Sequence, residues 1–437
     1  MSNLVSKAER RYDIDWLRVI LFGLLIPFHV AIGVYWSTYG EDINPNVSAD
    51  PDDRKELAEE GNDYTYESVD PTSMFLHWMH QWRLAALFMI SGMGTAFAFK
   101  RRTWKRFMLE RLQRLLIPMF FGMWTVGFVG GLITGDVDLQ GNTFFDTLIA
   151  FFLHILFTSF IFWVPLFGKI IALGHLWFLW NLFLYSMIFI PIFHMVQKYP
   201  DGVLTNLLRT TFTLKSGSGV FILFPILLVF IELAFKPWFP GFIGIGYEWF
   251  WYLVFFLFGY ICIVSKELYY DFIDSKRNLI TCLTLLFTTA FILIRLQQHD
   301  DGIPYIDGGW IENGIVHNRM TILACFIHSF HAWFWCLTVF AWGAHVLNTN
   351  SGSLTYLNQG VYPFYIVHMP LTFAGLRVAK KFSFTGFPAV VIGCIFVIVG
   401  CWIIFEAVRH TTVTRYVFGI KETAKESSIV PQDINQL

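Results

Sequence analysis

The sequence predicts an all-α polytopic membrane protein with about ten transmembrane helices, and three observations lead to this fold class. Of the 437 residues, 55% are hydrophobic and only 14% are charged, whereas soluble domains average about 25% charged residues. The mean hydropathy is +0.54. The apolar runs are long and unbroken, unlike the short alternating segments of a β-barrel. The composition and the net charge of −1 exclude a disordered chain, a disulfide-stapled secreted domain and a nucleic-acid binder.

Ten runs meet the requirement for crossing a bilayer, which is about 20 mostly apolar residues. The first run follows a basic segment, but it contains Arg18 and His29 and is too long for a signal peptide, so we predict a retained helix. Polar or Pro/Gly segments separate the later runs. The predicted spans are 16–36, 73–99, 115–134, 175–196, 217–235, 248–264, 279–297, 319–347, 358–378 and 386–408.

An eleventh apolar run, 144–165, has two interpretations, and the charge distribution decides between them. If this run does not cross and the N-terminus is cytoplasmic, twenty lysine and arginine residues lie on the inner side and six on the outer side. The positive-inside rule therefore favours ten crossings with both termini cytoplasmic, and 144–165 along or re-entering the outer interface. We predict one membrane domain, 1–420, with an acidic outer loop at 37–72 and a polar cytoplasmic tail at 421–437.

Ionisable side chains inside the predicted spans are the candidates for function, because they are costly to bury in a bilayer. Arg18 and His29 are eleven residues apart, which places them on one helix face about 16 Å apart along the axis. Pro27 is expected to loosen the backbone just before His29. This face offers a cation near the cytoplasm and a titratable base deeper in the bilayer. The alternative is a structural histidine with a snorkelling arginine.

Four further arginines fall inside or at the edge of predicted spans. Arg295 lies near a helix end, where it is expected to snorkel. Arg83 either binds an anionic group of a substrate or pairs with a fixed acid such as Glu232 or Glu406. The other two are Arg319 and Arg377.

The basic run 100–114 indicates a cytoplasmic loop, an anion site for phosphates, or both. The histidine pairs His77/His80 and His328/His331 have no carboxylate nearby in the sequence, so we expect no bound metal. The phosphate-binding candidates in the basic run are Arg101, Arg102, Arg111 and Arg114.

Several of the candidate residues, including Arg18 and His29, lie in stretches that resemble the membrane acyltransferase 3 family. The arginine-x10-histidine spacing of Arg18 and His29 is the most specific feature, and the stretch at 87–92 departs mildly from the usual FFxxSG form. The resemblance covers most of the chain. The matching stretches are RYDIDWLRVILFGLLIPFH (11–29), LFMISG (87–92), RLQRLLIP (111–118), GHLWFLWNLFLYS (174–186) and YPFYIVHMP (362–370).

The resemblance implies transfer of an acyl group from a cytoplasmic acyl-CoA to a hydroxyl group on the far side of the membrane. The expected reaction is O-succinyl transfer from succinyl-CoA to a periplasmic glucan, in the inner membrane of a Gram-negative bacterium. The expected partners are acyl-CoA, the glucan and the lipid bilayer, with no nucleic acid and no permanently bound cofactor. O-acetylation of an envelope polysaccharide, a solute transporter and a membrane scaffold are the alternatives.

Within this expectation, His29 and Arg18 are the catalytic candidates. A neutral imidazole can take the proton of a sugar hydroxyl, or His29 or a serine can carry the acyl group covalently. Burial favours the neutral imidazole that a base requires. The candidates for binding substrate are Asp15, Arg83, His175, Arg319, His368 and Arg377.

Overall fold

The computed structural model describes residues 11–39, 71–135, 137, 144–161, 171–239, 244–300, 311–312, 315–316 and 319–420. Most of the predicted acidic loop, 40–70, and the predicted tail, 421–437, lie outside the described residues.

The described chain is helical apart from two paired strands of two residues each, Ile311–Glu312 (β1) and Ile315–Val316 (β2). A 3-10 turn, Ile171–Leu176, precedes the sixth helix. The helices are Asp13–Gly23 (α1), Leu25–Tyr39 (α2), Pro71–Lys100 (α3), Trp104–Thr134 (α4), Phe144–Ile161 (α5), Trp177–Ile188 (α6), Ile190–Lys198 (α7), Val203–Thr213 (α8), Gly219–Phe235 (α9), Tyr247–Val264 (α10), Lys266–Asp300 (α11), Arg319–Val346 (α12), Gly352–Lys381 (α13), Gly386–Val408 (α14) and Thr412–Val417 (α15).

Seven helical stretches of the described chain, with α1 and α2 counted together as Asp13–Tyr35, are long and apolar enough to cross a membrane, or eight if the bent pair α6 and α7 is also one span. This confirms a polytopic helical membrane protein. Each of the ten predicted spans overlaps a helix, but α9 is short and α13 is not among the seven. The number of crossings therefore stays a prediction.

The first predicted span is two helices, because Pro27 interrupts the hydrogen-bond ladder. A proline has no N–H to donate to the carbonyl four residues earlier, which here is Gly23, the last residue of α1. Leu24 separates the helices, and α2 begins at Leu25. The expected loosening is thus present, one turn before His29.

Helices α3 and α10 approach each other closely at two glycines, one on each helix. A Cβ atom on Gly92 would lie 1.9 Å from the carbonyl oxygen of Phe256, and one on Gly259 would lie 2.0 Å from that of Met89. Small residues of this kind let two backbones meet in a membrane protein. Gly92 closes the stretch LFMISG, so this motif is explained by packing.

Helix α4 changes its winding where the chain approaches a proline. Residues Leu112–Leu116 form a π-helical turn, and the N–H of Ile117 donates to the carbonyl of Leu112. Pro118 cannot donate to the carbonyl of Arg114, so the usual ladder cannot continue there. The change of winding lies beside Arg111 and Arg114, two of the predicted phosphate-binding residues.

Several hydrogen bonds show which helix ends lie together. The Gln197 side chain, on α7, donates to the carbonyl oxygens of Phe99 (2.9 Å) and Arg102 (3.3 Å), at the end of α3. The N–H of Tyr12 donates to Asn348 Oδ1 at 3.0 Å. The start of α1 therefore lies at the same end of the bundle as the end of α12.

Helix α5, in the predicted outer run 144–165, packs on the second half of α4. The Phe128 ring contacts those of Phe144 (5.4 Å between centroids) and Phe151 (5.3 Å). The Trp124 and Phe152 rings are 4.7 Å apart. The run is thus a helix held by aromatic contacts.

Candidate active site

Three histidines from three parts of the chain meet in the interior. His29 comes from α2, His175 from the 3-10 turn before α6, and His368 from the middle of α13. The His29 and His368 rings are 5.1 Å apart between centroids, and those of His175 and His368 are 5.2 Å apart. His29 Nδ1 lies 3.3 Å from His368 Nε2. The structure thus joins the predicted base to two of the predicted substrate-binding residues.

The hydrogen-bond network assigns the tautomer of each ring in the His29–His368 pair. His368 Nδ1 lies 2.7 Å from the carbonyl oxygen of Tyr365, which can only accept, so Nδ1 carries the proton. His368 Nε2 is then an acceptor, and His29 Nδ1 donates to it. His29 also hydrogen-bonds the carbonyl oxygen of Leu25, one turn earlier in α2, and a neutral ring that donates through Nδ1 keeps the lone pair of Nε2. An imidazole in this state is ready to take a proton or to attack a carbonyl carbon.

His175 is fixed by the same stretch of α13. Its Nε2 donates to the carbonyl oxygen of Ile366 at 3.0 Å, and the Tyr365 hydroxyl donates back to the carbonyl oxygen of His175. In a regular helix the Ile366 carbonyl would accept from the N–H of residue 370, but Pro370 has none. The proline therefore frees the acceptor that holds His175.

The motif GHLWFLWNLFLYS positions His175 and also binds the segment that precedes α10 and the start of α10 itself. Gly174 has φ of +47°, a conformation that glycine adopts without strain, and it turns the chain into α6. Further along α6, the Asn181 amide donates to the Gly244 carbonyl at 2.6 Å, and the Tyr185 hydroxyl donates to that of Trp249 at 2.5 Å. These bonds attach α6 to the start of α10.

Arg83 lies beside the histidines as a buried cation. Its side chain is 1% exposed, and its Cζ lies 3.8 Å above the centre of the Phe28 ring, next to His29 in sequence. Its charge acts on both His29 and His368. Within the described residues, Nε and Nη1 of Arg83 have no hydrogen-bond partner. Unsatisfied donors on a buried charge are costly, so this group is suited to an anionic ligand.

The two acids considered as partners of Arg83 are bound elsewhere. Glu232, which is buried, has Lys236 Nζ at 3.3 Å and His328 Nδ1 at 2.9 Å. Glu406 Oε2 lies 3.0 Å from Arg409 Nε. The interpretation that Arg83 pairs with either of these acids is therefore wrong.

Arg18 lies nearer the start of the bundle. Its Nη1 is 3.3 Å from Asp15 Oδ1, so the second predicted residue on this helix serves as its ion-pair partner. Arg18 Nη2 also lies 3.5 Å from the position that a Cβ on Gly94 would occupy. The guanidinium thus faces α3, and within the described residues we find no contact between Arg18 and the three histidines.

The four predicted phosphate-binding arginines divide into two places. Arg101 and Arg102 line an open cavity of about 600 Å³ at the end of α3, where Arg102 Nε also lies 2.6 Å from Glu110 Oε1. Arg111 instead points inward, and its Nη2 donates to Thr95 Oγ1 at 3.0 Å. Arg114 is half-buried near Arg111.

The remaining predicted arginines lie on α11, α12 and α13. Arg377 is exposed on α13, nine residues beyond His368. Arg319 is the first residue of α12, and its side chain lies outside the described part of the chain. Arg295, which was expected to snorkel, is instead 2% exposed. The expectation that Arg295 snorkels is wrong, because the face of the long helix α11 that carries this residue packs inside the protein.

Sequence reasoning missed a carboxylate–imidazole pair, Glu232 and His328, between α9 and α12. His328 bonds Glu232, and its ring stacks on Trp251 with centroids 5.4 Å apart. His331, three residues later, instead bonds Gln81 Oε1 through Nδ1 at 2.7 Å. The two imidazoles therefore have different neighbours. The lone acid within an apolar helix was the signal that could have indicated this pair.

The comparisons with known proteins agree with the motifs. The family model described as an acyltransferase domain matches residues 11–406. Glucans biosynthesis protein C of Salmonella heidelberg (strain SL476), and its counterparts in Salmonella schwarzengrund (strain CVM19633) and Salmonella agona (strain SL483), are each 24% identical, over 96% of this chain and 97% of their own length. No solved structure matches significantly. Since the family model covers nearly the whole chain, from the start of α1 to the end of α14, the protein belongs to the acyltransferase 3 family.

Proposed function

We propose that this membrane acyltransferase moves a succinyl group from cytoplasmic succinyl-CoA to hydroxyl groups of a periplasmic glucan. The observation that carries the donor assignment is Arg83, a buried cation whose Nε and Nη1 have no partner among the described residues. A succinyl group brings a free carboxylate into the low-dielectric interior, and a planar guanidinium can bind it with two parallel hydrogen bonds. An acetyl group has no such requirement. The glucan acceptor rests on the printed name of the Salmonella relatives.

We also propose ten crossings, with 144–165 on the outer side. The bonds from Gln197 to the carbonyls of Phe99 and Arg102 support this. Because these residues share one end of the bundle, the chain between them crosses an even number of times. Helix α4 and the bent pair α6 and α7 supply two crossings, so a third by α5 would separate the bonded groups. The same reasoning keeps Tyr12 and Asn348 on one side.

This topology supports access to the site from both sides. The basic residues at the end of α3 then face the cytoplasm, where CoA is found, and the histidines lie in the outer half, towards the acceptor. His29 is the proposed base and Arg18 a donor-binding residue. The proposed location is the inner membrane of a Gram-negative cell, where succinyl-CoA and a periplasmic glucan are on opposite sides.

The proposed chemistry uses the free lone pair on His29 Nε2. In direct transfer, this atom takes the proton of the sugar hydroxyl while the hydroxyl oxygen attacks the thioester carbonyl carbon. The new C–O bond forms, the C–S bond breaks, and the CoA thiolate leaves and takes a proton. Alternatively, Nε2 attacks the thioester carbonyl carbon first, the C–S bond breaks and the CoA thiolate leaves. The sugar hydroxyl then attacks the same acyl carbon, the N–C bond to the imidazole breaks, and the hydroxyl proton passes to the thiolate. In both routes His368 Nε2 accepts from His29 Nδ1 and stabilises the charge that develops on the His29 ring.

The test is turnover by the purified protein in lipid nanodiscs, with a periplasmic glucan as acceptor. We expect thiol release and succinylated glucan from succinyl-CoA, slower reaction with acetyl-CoA, and loss of both with His29→Ala. Acceptor-dependent turnover that is faster with acetyl-CoA would contradict the donor assignment. The absence of thiol release with every acyl-CoA would contradict the catalytic proposal.

Arg83→Gln tests the reason for the donor assignment. If Arg83 binds the succinyl carboxylate, loss of a hydrogen-bonded charge pair worth about 1.5–3 kcal/mol should lower kcat/KM for succinyl-CoA about 10- to 150-fold. The variant should lose much less activity with acetyl-CoA. Arg377→Gln is a matched control, because this arginine is exposed. Equal losses with both donors would make Arg83 structural.

A further inference from the structure

The inner half of the bundle holds two arginines at one level of α3. Arg18 approaches this helix at Gly94, where its Nη2 lies 3.5 Å from the position of an added Cβ. Arg111 approaches at Thr95, the next residue, with Nη2 3.0 Å from Oγ1. Adjacent helical residues differ by about 1.5 Å in height and 100° in direction. The two guanidiniums therefore come from α1 and α4 to the same turn of α3.

Thr95 is a suitable anchor for Arg111 because its own hydroxyl proton is already used. Thr95 is fully buried, and its Oγ1 donates to the carbonyl oxygen of Ser91 at 2.9 Å. The remaining lone pairs of Oγ1 can only accept, and one accepts from Arg111. The guanidinium also lies 4.8 Å above the centre of the Phe107 ring. These two contacts hold one edge of Arg111 and leave its other donors to a ligand.

The level of these arginines fits the shape of an acyl-CoA. Thr95 is five residues from the end of α3, about 8 Å along the axis, and twelve residues from Arg83, about 18 Å. A CoA molecule carries its pyrophosphate at one end of a long, narrow pantetheine arm and its thioester at the other. An anion bound between Arg18 and Arg111 would leave that arm to bridge towards the histidines.

We infer that Thr95 is a positioning residue for the donor: it fixes Arg111 at the turn of α3 that Arg18 also reaches, and the two arginines bind the pyrophosphate of CoA. This inference rests on the proposed use of an acyl-CoA donor and adds the residue that orients its phosphate site. Arg101 and Arg102, at the open cavity beyond α3, are separate from this pair.

The test measures equilibrium binding of radiolabelled CoA and, separately, of pantetheine, which has the same arm but no phosphates. Thr95→Val keeps the shape and removes the acceptor, so we expect CoA binding about tenfold weaker, as for loss of one hydrogen bond to a charged group. Thr95→Ser should bind as wild type. Pantetheine binding should be the same in all three proteins.

Two controls separate positioning from a general loss of structure. Thr289→Val removes a hydroxyl with the same type of intrahelical bond, from Thr289 to the Leu285 carbonyl at 3.0 Å, on an exposed face of α11, and should not change CoA binding. In an Arg111→Gln background, Thr95→Val should cause no further loss, because the hydroxyl acts through that arginine.

The outcomes separate this inference from the proposed function. Wild-type CoA affinity in Thr95→Val, an equal loss for pantetheine, a full additional loss in the Arg111→Gln background, or no CoA binding by the wild type would each overturn the inference. If CoA binds as expected but succinyl-CoA is not consumed with acceptor, the succinyltransferase proposal fails and the phosphate site stands.

Discussion

Replacing His368 tests the chemical state assigned to His29. His368→Leu removes the Nε2 acceptor for His29 Nδ1, whereas His368→Gln can place an amide oxygen near the same point. In the resting structure the two nitrogens are 3.3 Å apart, at the long end for a hydrogen bond. The bond should therefore contribute little to folding stability. It gains importance when His29 takes a proton and Nδ1 donates from a cation.

The magnitude follows from that change. Hydrogen bonds to charged groups contribute about 1.5–3 kcal/mol, and about 1.4 kcal/mol corresponds to a factor of ten. His368→Leu should lower kcat about 10- to 150-fold. Because the stronger bond exists only once His29 is charged, KM for succinyl-CoA should change little. His368→Gln should recover much of the loss.

The assay is thiol release from succinyl-CoA with glucan acceptor, at equal amounts of folded protein judged by melting temperature. A wild-type kcat in His368→Leu would show that His29 does not need this acceptor. Equal losses in the leucine and glutamine variants would show that the imidazole acts by packing or as a proton carrier. Either result would refute the tautomer reasoning.

Two further predictions concern the fold. Gly92→Ala should destabilise the protein by about 1–3 kcal/mol or prevent folding, since its Cβ would lie 1.9 Å from a backbone oxygen of α10. Gly23→Ala is the control, because a Cβ on Gly23 would have no atom within 4 Å. Equal melting temperatures for the two variants would contradict the packing argument. In intact cells, a cysteine at Thr213 should be protected from an impermeant thiol reagent and one at Lys381 should be labelled, because the ten-span topology puts them on opposite sides; the reverse pattern would mean that 144–165 crosses.

The helices and the first candidate residues could be predicted from sequence because their signals are local. Long apolar runs predict helices, and Arg18 and His29 are recognisable as ionisable residues within one such run. The division of that run at Leu24 follows from Pro27 alone. Helix α9 and helix α13 are less clear, since the first is short and the second carries the polar residues of the site.

The assembly of the site could not be predicted from local signals. His29 and His368 are 339 residues apart in the chain, and Glu232 and His328 are 96 apart. No periodicity relates such residues. The choice of partner for Arg83 likewise depended on which acids were already bound, and only the positions of Lys236 and Arg409 answer that. Tertiary contacts therefore decide which buried charges are satisfied and which are left for a ligand.

Proline positions are an exception, because a proline within a predicted helix indicates a carbonyl group that must find its hydrogen-bond donor elsewhere in the chain. In a bilayer a carbonyl that loses its helical donor has no water to replace it, so the protein must supply another group. Pro370 creates such a carbonyl at Ile366, and the donor that satisfies it is His175 Nε2. Pro27 and Pro118 break the ladder in the same way beside His29 and Arg111. These three prolines thus mark places where the helix ladder opens, and two of the three histidines of the candidate site lie at such openings.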